Sequence, residues 1–216
     1  HLNAVADTPA LRAAYTGNLP RVTDFHTRLG ADERLFAKYR AVQADPASQR
    51  LAAPRKKALS NALRDFVLSG AELQGEAKQR FAELQELQAD LGQKFSEHVL
   101  DATDGFAHYA MPEELAGVPD DTRQAARAAA AAEGRDDCKL TLRLPCYLPV
   151  MQYGENRALR QLMYTAYTTR ASELGARPEH DNTALMGQLL ALRQEEAALL
   201  GMRSYAELSL VPKMAK

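Results

Sequence analysis

Apolar side chains recur every three or four positions along most of this chain, the period of an amphipathic helix. The pattern is clearest over residues 76–103, where Phe81, Leu84, Leu87, Leu91, Phe95 and Val99 form a single narrow stripe. A stripe this narrow predicts one arm of an antiparallel hairpin, with the helix over 54–70 as its partner across the short Gly70–Gly75 connection. That partner starts at Pro54, carries Leu59, Leu63, Phe66 and Val67 on one face, and stops at Gly70. Upstream, Thr8-Pro9 reads as a hydroxyl cap followed by proline at the first helical position, where its missing N–H costs nothing. The helix it opens runs through Leu11, Ala14, Tyr15, Leu19, Val22, Phe25 and Leu29 to Gly30, and Pro20 inside it is expected to kink or interrupt it. A helix over about 32–44 begins at Asp32-Glu33, whose charges suit the positive helix end, and carries Leu35, Phe36 and Tyr39.

Between 104 and 154 the period changes. Leu140, Leu142 and Leu144 alternate with Lys139, Thr141 and Arg143, the two-residue period of a strand. The stretch "FAHYAM" (106–111) is the other strand, and the alanine-rich helix between them reads as an exposed or lightly packed connection. "PCYLPVMQYG" carries two prolines and predicts a short, irregular helical turn. Helices return over 155–172 and again from Asp181 or Asn182, ending at Gly201. The fold class is therefore mainly α: antiparallel helical hairpins and a bundle, with one small two-stranded β-ribbon (about 106–111 with 138–144). Residues 1–216 read as a single helical region.

Composition excludes more than it suggests. Twenty-seven basic and 28 acidic side chains leave a net charge of −1, where a phosphate-binding surface needs a basic excess or stripe. The one dense basic cluster, Arg55-Lys56-Lys57, suits a solvated helix face, so no nucleic-acid partner is expected. No run approaches the ~18 apolar residues of a membrane span, so no membrane partner is expected either. Cys138 and Cys146 are too few for a disulfide framework and lack metal-knuckle spacing. They read as reduced thiols, in keeping with a cytoplasmic location. The first residue is His1 rather than Met, and the last helical stretch stops at Lys216, so both ends read as truncated.

Candidate chemistry fails position by position. A zinc helix needs two histidines a turn apart with a carboxylate beside them. None of His1, His26, His98, His108 and His180 has that spacing, and the pattern that Glu97-His98 would complete has Lys94 where its first histidine belongs. His98 reads as a helix-surface or interface residue. Gly70 and Gly75 have phosphate-loop spacing, but Glu76 and Ala77 stand where Lys and Ser/Thr would meet phosphate and magnesium. Neither cysteine has a neighbouring histidine to activate it. Glu195-Glu196 are adjacent on a helix and so point apart, which favours a charged face over a catalytic dyad. Tyr147, Tyr153, Tyr164, Tyr167 and Tyr205 could line a cleft, though core packing with a wet hydroxyl suits them better. No catalytic, cofactor-binding or metal-binding residue is assigned.

Several stretches taken in order carry a resemblance: "HLNAV", "ALRAAYTGNLP", "NALRDFVLSGAEL", "SEHVLDAT", "LPCYLPVMQY" and "RALRQLMYTAYTTRAS". With the closing "ALRQEEAALLGMRSYAELSL", they make the whole chain resemble the oligopeptidase A and thimet-oligopeptidase-like family of zinc metallopeptidases, closest to the bacterial oligopeptidase A branch. The resemblance implies a two-lobed, largely helical parent protein whose deep channel admits short, unstructured peptides. It implies zinc in the parent, held by an H-E-x-x-H helix and a downstream glutamate, with the motif's glutamate as general base. None of those positions occurs here, so the resemblance places this chain upstream of the motif, as part of the non-catalytic lobe. On that expectation the segment is inactive and binds no zinc by itself. Its partners would be short peptides and the missing catalytic lobe, with self-association through faces that lobe would cover. The alternative is a free-standing helical interaction module, distinguished by what the reading frame encodes beyond Lys216.

Overall fold

The computed structural model describes residues 2–5 and 7–214. Its helices are α1 (Leu2–Val5), α2 (Pro9–Gly30), α3 (Glu33–Ala44), α4 (Ala53–Leu68), α5 (Gly75–Asp104), α6 (Asp120–Ala131), α7 (Leu144–Tyr153), α8 (Arg157–Thr169), α9 (Thr183–Leu199) and α10 (Tyr205–Leu210). Strands β1 (His108–Ala110) and β2 (Cys138–Leu140) form an antiparallel ribbon with His108 opposite Leu140 and Ala110 opposite Cys138. The mainly helical class with one small ribbon is thus what the chain adopts. It divides into two compact units, one of residues 1–93 and 186–216, the other of residues 94–185.

In the first unit, local chemistry sets the helix starts. The Thr8 hydroxyl accepts from the Leu11 amide at 3.2 Å, and the Asp32 carboxylate accepts from Arg34 and Leu35 at 2.8 and 3.0 Å. The Leu35 amide is the main reason the Asp32 carboxyl sits below its ordinary range. Helix α2 runs unbroken through Pro20. The proline removes one amide donor, while the turns on either side keep theirs.

Packing departs from the expected hairpin. Helix α4 packs on α3, where Phe66 meets Phe36 and Tyr39 at ring-centre distances of 5.7 and 5.3 Å and Leu63 is buried beside them. No comparably close pairing of α4 with α5 occurs among the described residues. Helix α5 is instead tied to α9: Arg80 grips Glu195 through two bonds of 2.7 and 2.9 Å, and Gln85 and Gln88 both donate to Glu196. The second departure is α2. Tyr15, Val22, Phe25 and Leu29 lie on one face of it, and that face is exposed, with Phe25 keeping 54% of its surface.

In the second unit the core gathers around the ribbon. Leu140, Leu142, Val150 and Met163 are almost fully buried there. Thr122, Ala126 and Ala130, spaced four apart on α6, are buried with β2 as close neighbour, so this helix is core rather than a light connection. Alanine's small side chain is what permits so close an approach. The strand ends at Leu140, and Leu144 is exposed because it already begins α7. The expected irregular turn is a regular helix: Pro145 sits in its first turn, and Pro149 leaves only one carbonyl of the ladder without its amide.

The join between the ribbon segment and α7 depends on Gly117. Its φ is +82°, and a Cβ there would lie 2.3 Å from the Tyr153 carbonyl oxygen. Gly134 has φ +72° but open space around it. Gly117→Ala is therefore expected to destabilise by about 1–3 kcal/mol, against roughly 1 kcal/mol for Gly134→Ala. Urea unfolding of the two variants makes the comparison, and equal costs would mean the Tyr153 carbonyl moves aside freely.

Candidate functional site

A groove of about 750 Å³ opens within the unit of residues 94–185. Helix α8 supplies one wall. Its cap is Asn156, which accepts from the Leu159 amide at 3.2 Å. Leu159 and Met163 on one side of the helix are buried in the core, while Ala158, Leu162, Thr165 and Thr169 at three- and four-residue spacing face the groove. The end of α5 and the loop to β1 supply the opposite wall, with Gly105, Phe106 and His108. The segment after α8, from Arg170 to Arg177, closes one end.

The charge of the lining is one-sided. Two arginines and a histidine line the groove, with no aspartate or glutamate. The Arg170 guanidinium lies 3.6 Å over the Tyr167 ring and donates to the Tyr167 carbonyl. Tyr167 is itself stacked on Tyr147, with ring centres 4.1 Å apart and planes within 12°. Burial pushes the Tyr147 phenol above its ordinary value, keeping it neutral. Arg177 donates to the Gly105 carbonyl at 3.1 Å and lies so close that a Cβ on Gly105 would come within 3.0 Å of its guanidinium carbon. Arg170 Nε is buried and meets no acceptor among the described residues.

The wall that carries Arg170 is held from behind by Asn182, which is 1% exposed. Its backbone amide donates to the Ala171 carbonyl at 3.1 Å, its side-chain amide donates to the Phe95 carbonyl at 3.1 Å, and its Oδ1 lies 2.8 Å from His98 Nδ1. Because the Asn182 nitrogen is committed to Phe95, its oxygen is the acceptor and His98 Nδ1 carries the proton. Ala171 has φ +54°, a left-handed conformation unusual for alanine, at the turn that aims Arg170.

The sequence candidates fall elsewhere. Glu195 and Glu196 are each engaged by α5, and the Arg80 bond holds the Glu195 carboxyl below its ordinary range, so the pair is a helix tie. His98 is an internal tie of its unit, with its ring centre 6.0 Å from that of His180. His1 lies outside the described residues. Of the five tyrosines, none lines the groove, though Tyr167 positions Arg170 from behind. Cys138 is buried and Cys146 half-buried, and they are unpaired. Among the described residues no three His, Cys, Asp or Glu side chains are grouped to hold a metal ion, so the donor set does not fit a zinc centre. No helix of the described residues is long and apolar enough to cross a membrane. Arginines 170 and 177 were not singled out from the sequence. Their signal lies in a spacing of seven across a turn whose geometry sequence does not reveal.

Two family models match the chain: "Neurolysin/Thimet oligopeptidase, N-terminal domain" over residues 1–78 and "Peptidase family M3" over residues 150–216. Oligopeptidase A of Salmonella typhimurium is 44% identical over 218 residues, covering 100% of this chain and 32% of that protein. Oligopeptidase A of Escherichia coli gives the same identity and coverage. The organellar oligopeptidase A of Arabidopsis thaliana, chloroplastic/mitochondrial, is 37% identical over 223 residues, covering 100% of this chain and 28% of its own. The chain thus spans about a third of the length of these relatives.

Removing the Asn182 side chain leaves the half-buried His98 imidazole without its partner and takes a second donor from the Phe95 carbonyl, which keeps its place in the α5 ladder. Asn182→Ala is expected to cost about 1–3 kcal/mol, with faster amide exchange in the segment around Ala171. A cost below about 0.5 kcal/mol would mean that water replaces the amide without penalty.

Proposed function

The chain belongs to the oligopeptidase A and thimet-oligopeptidase family of peptidases, and from that membership we propose that its helices form a non-catalytic wall of the channel of a zinc-dependent oligopeptidase. The observation that carries the proposal is the 44% identity to bacterial oligopeptidase A along the whole chain. In this reading the wall acts by shape, admitting short peptides and holding their backbones, and zinc and its general base belong to residues outside this chain. The substrates are short peptides and the location is cytoplasmic, in keeping with the two unpaired cysteines. The test is turnover of quenched fluorescent peptides of increasing length by the complete gene product and by the 216-residue chain. The complete product is expected to cleave short peptides, lose activity to a chelator and regain it with zinc, while the chain alone gives no turnover. Chelator-sensitive cleavage by the chain alone would place the chemistry within it and end the proposal.

The exposed face of α2 extends the same reading. Tyr15, Val22, Phe25 and Leu29 form a contiguous apolar stripe of the kind that marks an interaction surface. In the complete protein this stripe would be covered by the catalytic lobe, and in the isolated chain a second copy takes its place. The same stripe would also serve a free-standing interaction module. Light scattering is expected to show a molar mass that rises with concentration, and Phe25→Asp is expected to return it to that of a monomer. A monomer at all concentrations, with and without the substitution, would count against a covered face.

A further inference from the structure

The groove of the 94–185 unit combines two properties that rarely coincide on a protein carrying slightly more acid than base. Its lining holds no carboxylate, and its two arginines have no carboxylate partner among the described residues. Both guanidiniums are fixed through neutral groups, Arg170 by Tyr167 and Arg177 by the Gly105 carbonyl. Each therefore keeps its full positive charge and has donors to spare, since a guanidinium offers five. Arg170 Nε is itself buried and meets no acceptor among the described residues. Apolar surface lies beside these charges, from Phe106 and Leu142 in the floor to Leu162 and Leu174 at the exposed rim.

We propose that this groove binds the C-terminal end of a short peptide, with the terminal carboxylate taken by Arg170 and Arg177 and the last apolar side chain lodged against Phe106, Leu142 and Leu162. The assignment rests on the reading of this unit as a peptide-contacting wall, and it adds a polarity to it. A terminal residue carries its charge and its apolar side chain on one carbon, matching a lining in which guanidinium and apolar surface adjoin. A planar carboxylate also suits the guanidinium fork. A dianionic phosphate suits the site less well, because Arg170 follows the C-terminus of α8, whose partial negative charge offsets part of the positive field. The volume is within the roughly 300–1,000 Å³ of sites for small ligands.

The test is isothermal titration of the 216-residue chain with three N-acetylated tetrapeptides. The first is Ac-Ala-Ala-Leu-Phe with a free carboxylate, the second is its C-terminal amide, and the third is Ac-Ala-Glu-Leu-Phe amide, which moves the charge to a side chain. The free acid is expected to bind at least tenfold more tightly than the amide, with a preference that shrinks as salt is raised. Arg170→Gln and Arg177→Gln should each bring the binding of the acid close to that of the amide. Equal binding of acid and amide to the unmodified chain would overturn the proposal and leave the wall reading intact. Equal binding of the first and third peptides would overturn the terminal assignment. Absence of binding by any of the three up to millimolar concentration would overturn both the proposal and the peptide-facing role of this groove. Membership of a zinc peptidase would still be judged by turnover of the complete gene product.

Discussion

The buried Asn182 amide is the constraint on which the groove depends. Three segments distant in sequence converge on one residue: the Phe95 carbonyl and His98 ring of α5, the Ala171 carbonyl after α8, and the backbone that starts α9. An unpaired buried polar group costs free energy, so a shift among the three segments that breaks these bonds is penalised. The position so favoured keeps Ala171 in its left-handed conformation. The turn at Ala171 in turn sets where Arg170 lies against Tyr167. A hydrophobic contact could bury as much area here without specifying the geometry so narrowly.

Legibility in the sequence followed the range of the physics involved. Caps and terminators act over a few residues, so Thr8, Asp32 and Gly70 marked helix limits that the structure keeps to within a residue or two. The ribbon was visible as a strand pair, but the alternation of Leu140, Leu142 and Leu144 ran past it, because β2 ends at Leu140 and Leu144 already begins α7. Helix partners were not legible. The short Gly70–Gly75 connection argued for α4 on α5, but the aromatic cluster of Phe36, Tyr39 and Phe66 draws α4 onto α3. Alanine misled for a related reason. A tract that is nearly neutral by periodicity becomes core once a strand lies close enough to need small side chains.

The face of α2 shows a different limit. Its apolar residues have helical spacing, and spacing alone argues for burial in the same chain. Leu19, Thr23 and Thr27 face inward more than Val22, Phe25 and Leu29 do. Helical periodicity shows that a face is apolar, not what lies against it. The same holds for the groove, whose lining is drawn from the end of α5, β1, α8 and the turn beyond it. No window of sequence contains those residues together.

Net charge was equally silent about the site. A chain with 27 basic and 28 acidic residues averages to near neutrality, and ion pairs such as Arg28–Asp24, Arg80–Glu83 and Arg123–Asp120 are local and exposed, where each contributes little. What matters for binding is the field inside a concavity whose walls exclude part of the solvent. There the lining has guanidiniums and no acid, so the local field is positive although the average is not. Fixing those guanidiniums on an aromatic ring and on a backbone carbonyl, rather than on carboxylates, holds their geometry without neutralising their charge. A salt bridge would position an arginine equally well and remove its capacity to attract an anion. The choice of neutral anchors is thus what separates a binding arginine from a structural one, and in this chain Arg80, gripped by Glu195, is the structural counterpart.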